Sequence, residues 1–202
     1  MKHIAIVIVN WNGYKDTLVC LKSLERLALH GHTVTTIVVD NGSTNESVSQ
    51  ISAAFPNITL LKLSQNEGFS GGNNEGIRYA YELGADYIWL LNNDTIVHPD
   101  ALCLVNAFVD SRVGIAGSKI YFAKGHEYHR DRYKADERGK VIWYAGGTID
   151  WENMYASHKG VDEVDHGQYD TPESTNFITG CSMMISRSVI DAVGYLDDRF
   201  LS

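Results

Sequence analysis

Five apolar residues in a row, Tyr87-Ile88-Trp89-Leu90-Leu91, break abruptly into Asn92-Asn93-Asp94-Thr95. The run lacks the alternation of a strand with one face in water. It is therefore expected to be a buried strand covered on both faces, as in a sheet with helices on either side. Open α/β sheets take ligands beyond the carboxyl ends of such strands. Asp94 would then stand where a hard cation could join a carboxylate oxygen to phosphate oxygens. The same residues precede His98-Pro99-Asp100 and are also ordinary turn and capping types, so this stretch alone leaves both readings open.

The chain before this strand alternates in period. His3 to Asn10 is a β-branched apolar run, and a helix is expected from about Lys15 to Leu29, with Leu18, Leu21, Leu24 and Ala28 on one stripe. A second strand, Val34 to Val39, runs into Asp40-Asn41-Gly42-Ser43. A helix from about Asn45 to Phe55 and a third strand from Ile58 to Leu63 follow. Strands and helices alternating at this spacing imply parallel pairing with right-handed crossovers, which gathers the carboxyl ends of the strands on one edge.

Gly68, Gly71, Gly72 and Gly76 fall in the segment Gln65 to Gly76, before a helical stretch from Ile77 to Leu83. The glycines suit either a loop and helix N-terminus whose backbone N–H groups face an anionic or polar ligand, or a flexible connection with a glycine-lined packing contact. A dinucleotide fingerprint is excluded, because that motif would follow the first strand, where this chain has Asn10-Trp11-Asn12-Gly13.

Beyond the central strand, a helix is expected from Pro99 to about Asp110 and a strand-like stretch from Val113 to Phe122. Residues 123–140 are strongly charged and read as a surface insertion. His126-Glu127-Tyr128-His129 has the wrong spacing for a helical zinc site, which needs histidines four apart. Val141 to Trp151, with Gly146-Gly147, reads as a hairpin or as a strand and turn, and Asn176 to Ser186 as a last strand. A short helix, Ser188 to Val193, ends at Gly194.

A chain of 202 residues, 44% of them hydrophobic, can bury a full core, and one domain over 1–202 is expected. The net charge of −8 argues against nucleic acid as a partner. Asn10, Trp11 and Asn12 cut the opening apolar run short of a signal-peptide core. No run reaches the ~18 apolar residues of a membrane helix, so any membrane contact is expected to be peripheral. Cys20, Cys103 and Cys181, odd in number and widely spaced, fit a reduced cytoplasmic protein without a Cys-based metal site.

Asn10-Trp11-Asn12, Asp40-Asn41-Gly42-Ser43 and Asn92-Asn93-Asp94 thus share one edge, beside the glycine-rich segment. In this order, together with Phe177-Ile178-Thr179-Gly180, they resemble the family-two glycosyltransferases of the GT-A fold, with bacterial rhamnosyltransferase-like members closest. The resemblance runs from about Ile4 to the last residue. It implies a Rossmann-like, mostly parallel sheet with helices on both faces and an antiparallel C-terminal strand.

It also implies residue roles. Asp40 would hydrogen-bond a nucleotide base, although Asp-Asn-Gly is also a plain turn. Asn10 and Asn12 would line the same pocket, Asn66, Gly68 and Asn74 would sit near the sugar diphosphate, and Asn92 and Asn93 would make polar, ribose-side contacts. The family's metal motif is Asp-x-Asp. Its first member here is Asn92, which leaves Asp94 as the carboxylate for Mg²⁺ or Mn²⁺.

The activity implied is transfer of a sugar from a UDP- or dTDP-sugar to an acceptor hydroxyl, with inversion. The setting implied is bacterial surface polysaccharide synthesis in the cytoplasm, at the inner face of the membrane, on a glycan or lipid-linked acceptor. In the family the catalytic base lies just beyond a segment like Asp197 to Leu201, so it is expected past Ser202, and neither Asp197 nor Asp198 is assigned that role. Such a fragment is expected to bind donor and turn it over poorly. Two rivals stand beside this reading. A sugar-phosphate nucleotidyltransferase would carry a basic glycine-rich loop after the first strand. A non-catalytic carbohydrate- or protein-binding module would be indifferent to nucleotide and to Asp94→Ala.

Overall fold

The computed structural model describes residues 1–199. Phe200 and Leu201, part of the segment that precedes the base in the family, and Ser202 lie outside them. The described residues divide into two compact units, 1–116 with 180–199, and 117–179.

The first unit holds β1 (His3–Asn10), α1 (Tyr14–Leu24), β2 (Thr33–Asp40), α2 (Ser47–Ala54), β3 (Thr59–Lys62), α3 (Gly68–Glu82), β4 (Tyr87–Leu91) and a 3-10 helix (Ala101–Val109). β5 (Ile115–Gly117) lies at the junction of the units. The second unit holds β6 (Ile120–Tyr121), a 3-10 turn (Arg130–Arg132), β7 (Ile142–Tyr144), β8 (Gly147–Asp150) and β9 (Tyr155–His158). The chain returns to the first unit for β10 (Ser182–Ser186) and α4 (Arg187–Val193).

Six strands form one sheet in the order β3-β2-β1-β4-β10-β5. β1 pairs in parallel with β2 and β4, β2 pairs in parallel with β3, and β10 runs antiparallel to β4. The unbroken apolar strands are explained by cover on both faces. Ile4, Ile6 and Ile8 face one core with Cys20 and Leu21 of α1, Ile51 of α2 and Leu102 and Val105 of the 3-10 helix. Ala5 and Val7 face the other, with Ile77 and Ala80 of α3 and Ile190 of α4. Trp89, buried in β4, donates its indole N–H to the Ser182 hydroxyl of β10 at 3.0 Å, so its polar atom is satisfied inside the sheet.

Several sequence expectations are corrected. The glycine-rich stretch is not a loop: Gly68 to Gly76 are the first turns of α3. A Cβ at Gly76 would stand 2.2 Å from a Val7 methyl, and one at Gly72 2.9 Å from a Val9 methyl, so the glycines let the helix lie directly on β1. α1 ends at Leu24, five residues short of the expected Leu29. The Ser23 hydroxyl bonds back to the Cys20 carbonyl at 2.6 Å, and the next turns tighten to i→i−3 bonds before the left-handed His30 and Gly31. Residues 101–109 are 3-10 rather than α-helical, and the last strand starts only at Ser182. The residues before it bond elsewhere, with Asn176 N donating to the Gly147 carbonyl and Phe177 bridged to Gly147.

In the second unit, β6 pairs with β7 and β8 with β9, so Val141–Trp151 is a strand, a turn at 145–146 and a second strand rather than a hairpin, and the hairpin turn lies at 151–154. The charged stretch 123–140 is anchored by buried groups. Glu127 accepts the N–H groups of Gly125 at 2.9 Å and Gly139 at 2.7 Å, and Tyr133 is buried. Nearby, Asp165 accepts from Lys119 at 2.7 Å, from the Tyr121 hydroxyl and from Gly167 N at 2.8 Å. Burial works to raise its pKa, but these donors outweigh it and draw it down to about 2. A carboxylate whose folded pKa is depressed stabilises the fold above its unfolded pKa of about 3.9. That contribution is lost as pH falls from about 4 towards about 2. Asp165→Asn is expected to flatten the acid limb of an unfolding curve between those limits, followed by tyrosine or tryptophan fluorescence.

Candidate active site

All nine residues singled out in the sequence lie in the first unit. Asn10 pairs with Asp40 in the register of β1 and β2, and Val7 with Leu90 in that of β1 and β4. The polar ends of β1, β2 and β4 therefore meet at one edge.

Asp40 is 2% exposed. One of its oxygens accepts Asn10 Nδ2 at 2.8 Å and the other accepts Ser43 N at 3.0 Å. Asn10 Nδ2 also reaches Ser43 Oγ at 3.2 Å, and Asn10 Oδ1 accepts the Thr17 hydroxyl at 2.8 Å. On the far side Thr17 Oγ1 accepts Asn93 Nδ2 at 3.0 Å. Gly13 makes room for that approach, since a Cβ there would come 2.9 Å from Asn93 Nδ2.

Asn12 has a positive φ of 54°, a conformation its short polar side chain tolerates. Its side chain accepts Thr44 N at 2.9 Å and Asn45 N at 3.3 Å, while its own N–H donates to Ser43 Oγ at 2.8 Å. Asn12 therefore fastens the loop after β1 to the loop after β2. Asn66 and Gly68 are gathered by Asn41, whose Nδ2 donates to Asn66 Oδ1 at 2.9 Å and to the Gly68 carbonyl at 3.0 Å.

Asn74, expected beside the sugar diphosphate, is engaged otherwise. Its Nδ2 donates to the Leu196 carbonyl and its Oδ1 accepts Leu196 N, both at 2.9 Å, and it is 2% exposed. The amide clips the chain after α4 onto α3. Asn74→Leu is expected to cost roughly 1–3 kcal/mol, because both Leu196 backbone groups lose their partner. Hydrogen exchange at Leu196 should speed up with it.

At the end of β4, Asn92 N donates to the Cys181 carbonyl at 2.9 Å and Thr95 Oγ1 donates to the Asn92 carbonyl at 2.8 Å. These bonds shape the turn that presents Asp94 to solvent. The Asp94 carboxylate makes no hydrogen bond or ion pair among the described residues. Burial, aided by the charge of Asp94, pushes both neighbouring thiols, Cys20 and Cys181, up to about 11. They are therefore neutral near pH 7. Among the described residues no group of three or more His, Cys, Asp or Glu side chains is placed to hold a metal ion. The donor set fits a cation that takes one protein carboxylate and completes its shell with ligand oxygens and water.

Thr17 was not picked out in the sequence, and Gly13, Asn41 and Ser43 stood there only within their motifs, with no role of their own. Thr17 left one signal: it falls on the buried stripe of α1 with Cys20 and Leu21, a polar residue where the period calls for an apolar one.

The sheet order, the antiparallel β10 and the polar strand ends define the GT-A class of α/β folds. A mannosyltransferase from Pyrobaculum calidifontis, PcManGT, solved with GDP-Man and Mn²⁺, superposes with a TM-score of 0.63 at 14% identity, over 96% of this chain and 47% of its own. The sequence profile of glycosyl transferase family 2 matches residues 5–194, and the chain belongs to that family. Among its relatives, the low-salt glycan biosynthesis hexosyltransferase Agl10 of Haloferax volcanii is 25% identical over 98% of this chain and 57% of its own length. The dTDP-rhamnosyl transferase RfbF of Shigella flexneri is 24% identical over 81% and 48%. The chain thus spans about half the length of either relative. No helix among the described residues is long and apolar enough to cross a membrane.

Proposed function

We propose that this chain is the donor-binding part of an inverting glycosyltransferase that moves a sugar from a nucleoside diphosphate sugar to an acceptor hydroxyl. The observation that carries the reading is the joined polar edge of β1, β2 and β4, with the unengaged carboxylate of Asp94 at its outer end. Asp40, held by Asn10 and Ser43, keeps lone pairs for a base N–H. Asn12, Asn41 and Asn66 shape the loops around the nucleotide, and Asn92 and Asn93 flank the ribose side.

Asp94 would hold Mg²⁺ or Mn²⁺. Bound there, the metal would neutralise charge on the departing diphosphate. The acceptor proton needs a carboxylate base. Asp197 is ill suited, because its carboxylate is held by Arg199 at 2.6 Å and the guanidinium draws its pKa below the usual range. This supports a base lying past Ser202.

The names of the relatives, with dTDP-rhamnose and hexose as their sugars, support a role in glycan assembly. We extend the reading to a cytoplasmic enzyme serving a glycan or lipid-linked acceptor at the membrane face. Calorimetric titration of UDP, dTDP and GDP, with and without Mn²⁺, tests the donor site without needing the base. Metal-dependent binding of one of them is expected. Absence of binding to folded protein would favour a carbohydrate- or protein-binding module, and pyrophosphate release from a nucleoside triphosphate and a sugar phosphate would favour a nucleotidyltransferase.

A further inference from the structure

We infer that Thr17 is a positioning residue whose hydroxyl couples Asn93, the residue before Asp94 at the end of β4, to the base side of the site. The inference rests on the donor-site reading given above. Asp40 accepts a hydrogen bond at each oxygen, from Ser43 N on one and from Asn10 on the other, so Asn10 turns its NH₂ towards it, as the 2.8 Å contact records. The amide oxygen of Asn10 then points the other way and needs a donor. A threonine hydroxyl has one proton, and Thr17 places it on Asn10 Oδ1 at 2.8 Å, in preference to the Gly13 carbonyl at 3.2 Å.

With that proton committed, Thr17 Oγ1 can only accept from its next neighbour. Asn93 must therefore present Nδ2 to it, at 3.0 Å. The Gly13 carbonyl also accepts Asn93 Nδ2, at 3.4 Å, so the orientation of Asn93 is held jointly by that carbonyl and, through the shorter bond to Thr17, by a carboxylate three hydrogen bonds away. What remains to Asn93 is an acceptor, its Oδ1, suited to a ribose hydroxyl, one residue before Asp94. Thr17 and Asn10 are 0% exposed, so water cannot substitute for a missing link.

Two measurements test this, one free of ligand. In the unliganded protein, the ¹⁵N side-chain amide resonances of Asn10 should move on Asn93→Ala. The same change made in a Thr17→Val background should leave them in place, and a Thr17→Ser background should restore the response. Equal responses in all three backgrounds would overturn the relay. In the second measurement, the factor by which Mn²⁺ tightens nucleotide binding is compared among wild type, Thr17→Val and Thr17→Ser. The factor should fall about tenfold in Thr17→Val and recover in Thr17→Ser, a span typical of coupling between sites. A merely structural threonine would lower the melting temperature and leave that factor unchanged, which would overturn the inference. If the wild type itself binds no nucleotide, the donor-site reading fails, while the relay is judged on the resonances.

Discussion

Asp94→Ala is expected to abolish the metal-dependent part of nucleotide binding while leaving the melting temperature unchanged. The side chain is exposed and bonded to nothing among the described residues, so its truncation removes no packing and orphans no partner. The turn beneath it is fixed by Asn92, Cys181 and Thr95, none of which depends on the carboxylate. With Asn92 in place of a second acid, a bound cation has this one carboxylate from the strand end. Losing it should weaken binding in Mn²⁺ on the order of 100-fold, to the level seen with chelator. Isothermal titration in Mn²⁺ and in EDTA measures the difference. An unchanged metal effect in the variant would remove Asp94 from the site.

Gly76→Ala is expected to destabilise the protein by about 2 kcal/mol, against the usual sign for such a change in a helix. Alanine in a helix interior is ordinarily favoured over glycine by about 1 kcal/mol. Here the added methyl would meet Val7 Cγ1 at 2.2 Å and Val39 Cγ2 at 3.2 Å, both on fully buried residues of the central strands. Overpacking of that kind costs about 1–3 kcal/mol for added methylenes and outweighs the propensity gain. Because β1 and β2 also carry Asn10 and Asp40, the variant should bind nucleotide more weakly as well. A urea titration reads the loss as a lower midpoint at constant slope. Stabilisation by alanine would mean that the residue stands in open space, as a loop reading of this stretch requires.

The same glycines mark where sequence reasoning stops. Gly68 to Gly76 reads locally as a flexible loop, since glycine is among the poorest helix formers. The stretch is helical because its glycines lie against Val7 and Val9, and that burial outweighs propensity. Asn74 is similar. Its composition suits a ligand contact, yet its amide is spent on Leu196, 122 positions away. The early end of α1 has a local cause in Ser23, but the hydroxyl also accepts the N–H of Val97 at 2.9 Å, a partner from beyond β4.

By itself the sequence determined the succession of β1 to β4 with the helices between the first three strands, and the gathering of Asn10, Asp40 and Asp94 at one edge, whereas the expected strand Val113 to Phe122 divides into β5 and β6 in separate sheets. Hydrophobic period and turn chemistry are local signals, and parallel β-α-β connections leave little freedom in where strand ends fall. Only the tertiary structure decided which polar atoms meet. The bonds from Thr17 to Asn10 and Asn93, and from Asn41 to Asn66, join residues from separate strands, helices and loops. Such pairings follow from register and close packing across elements, and no periodicity within one element encodes them.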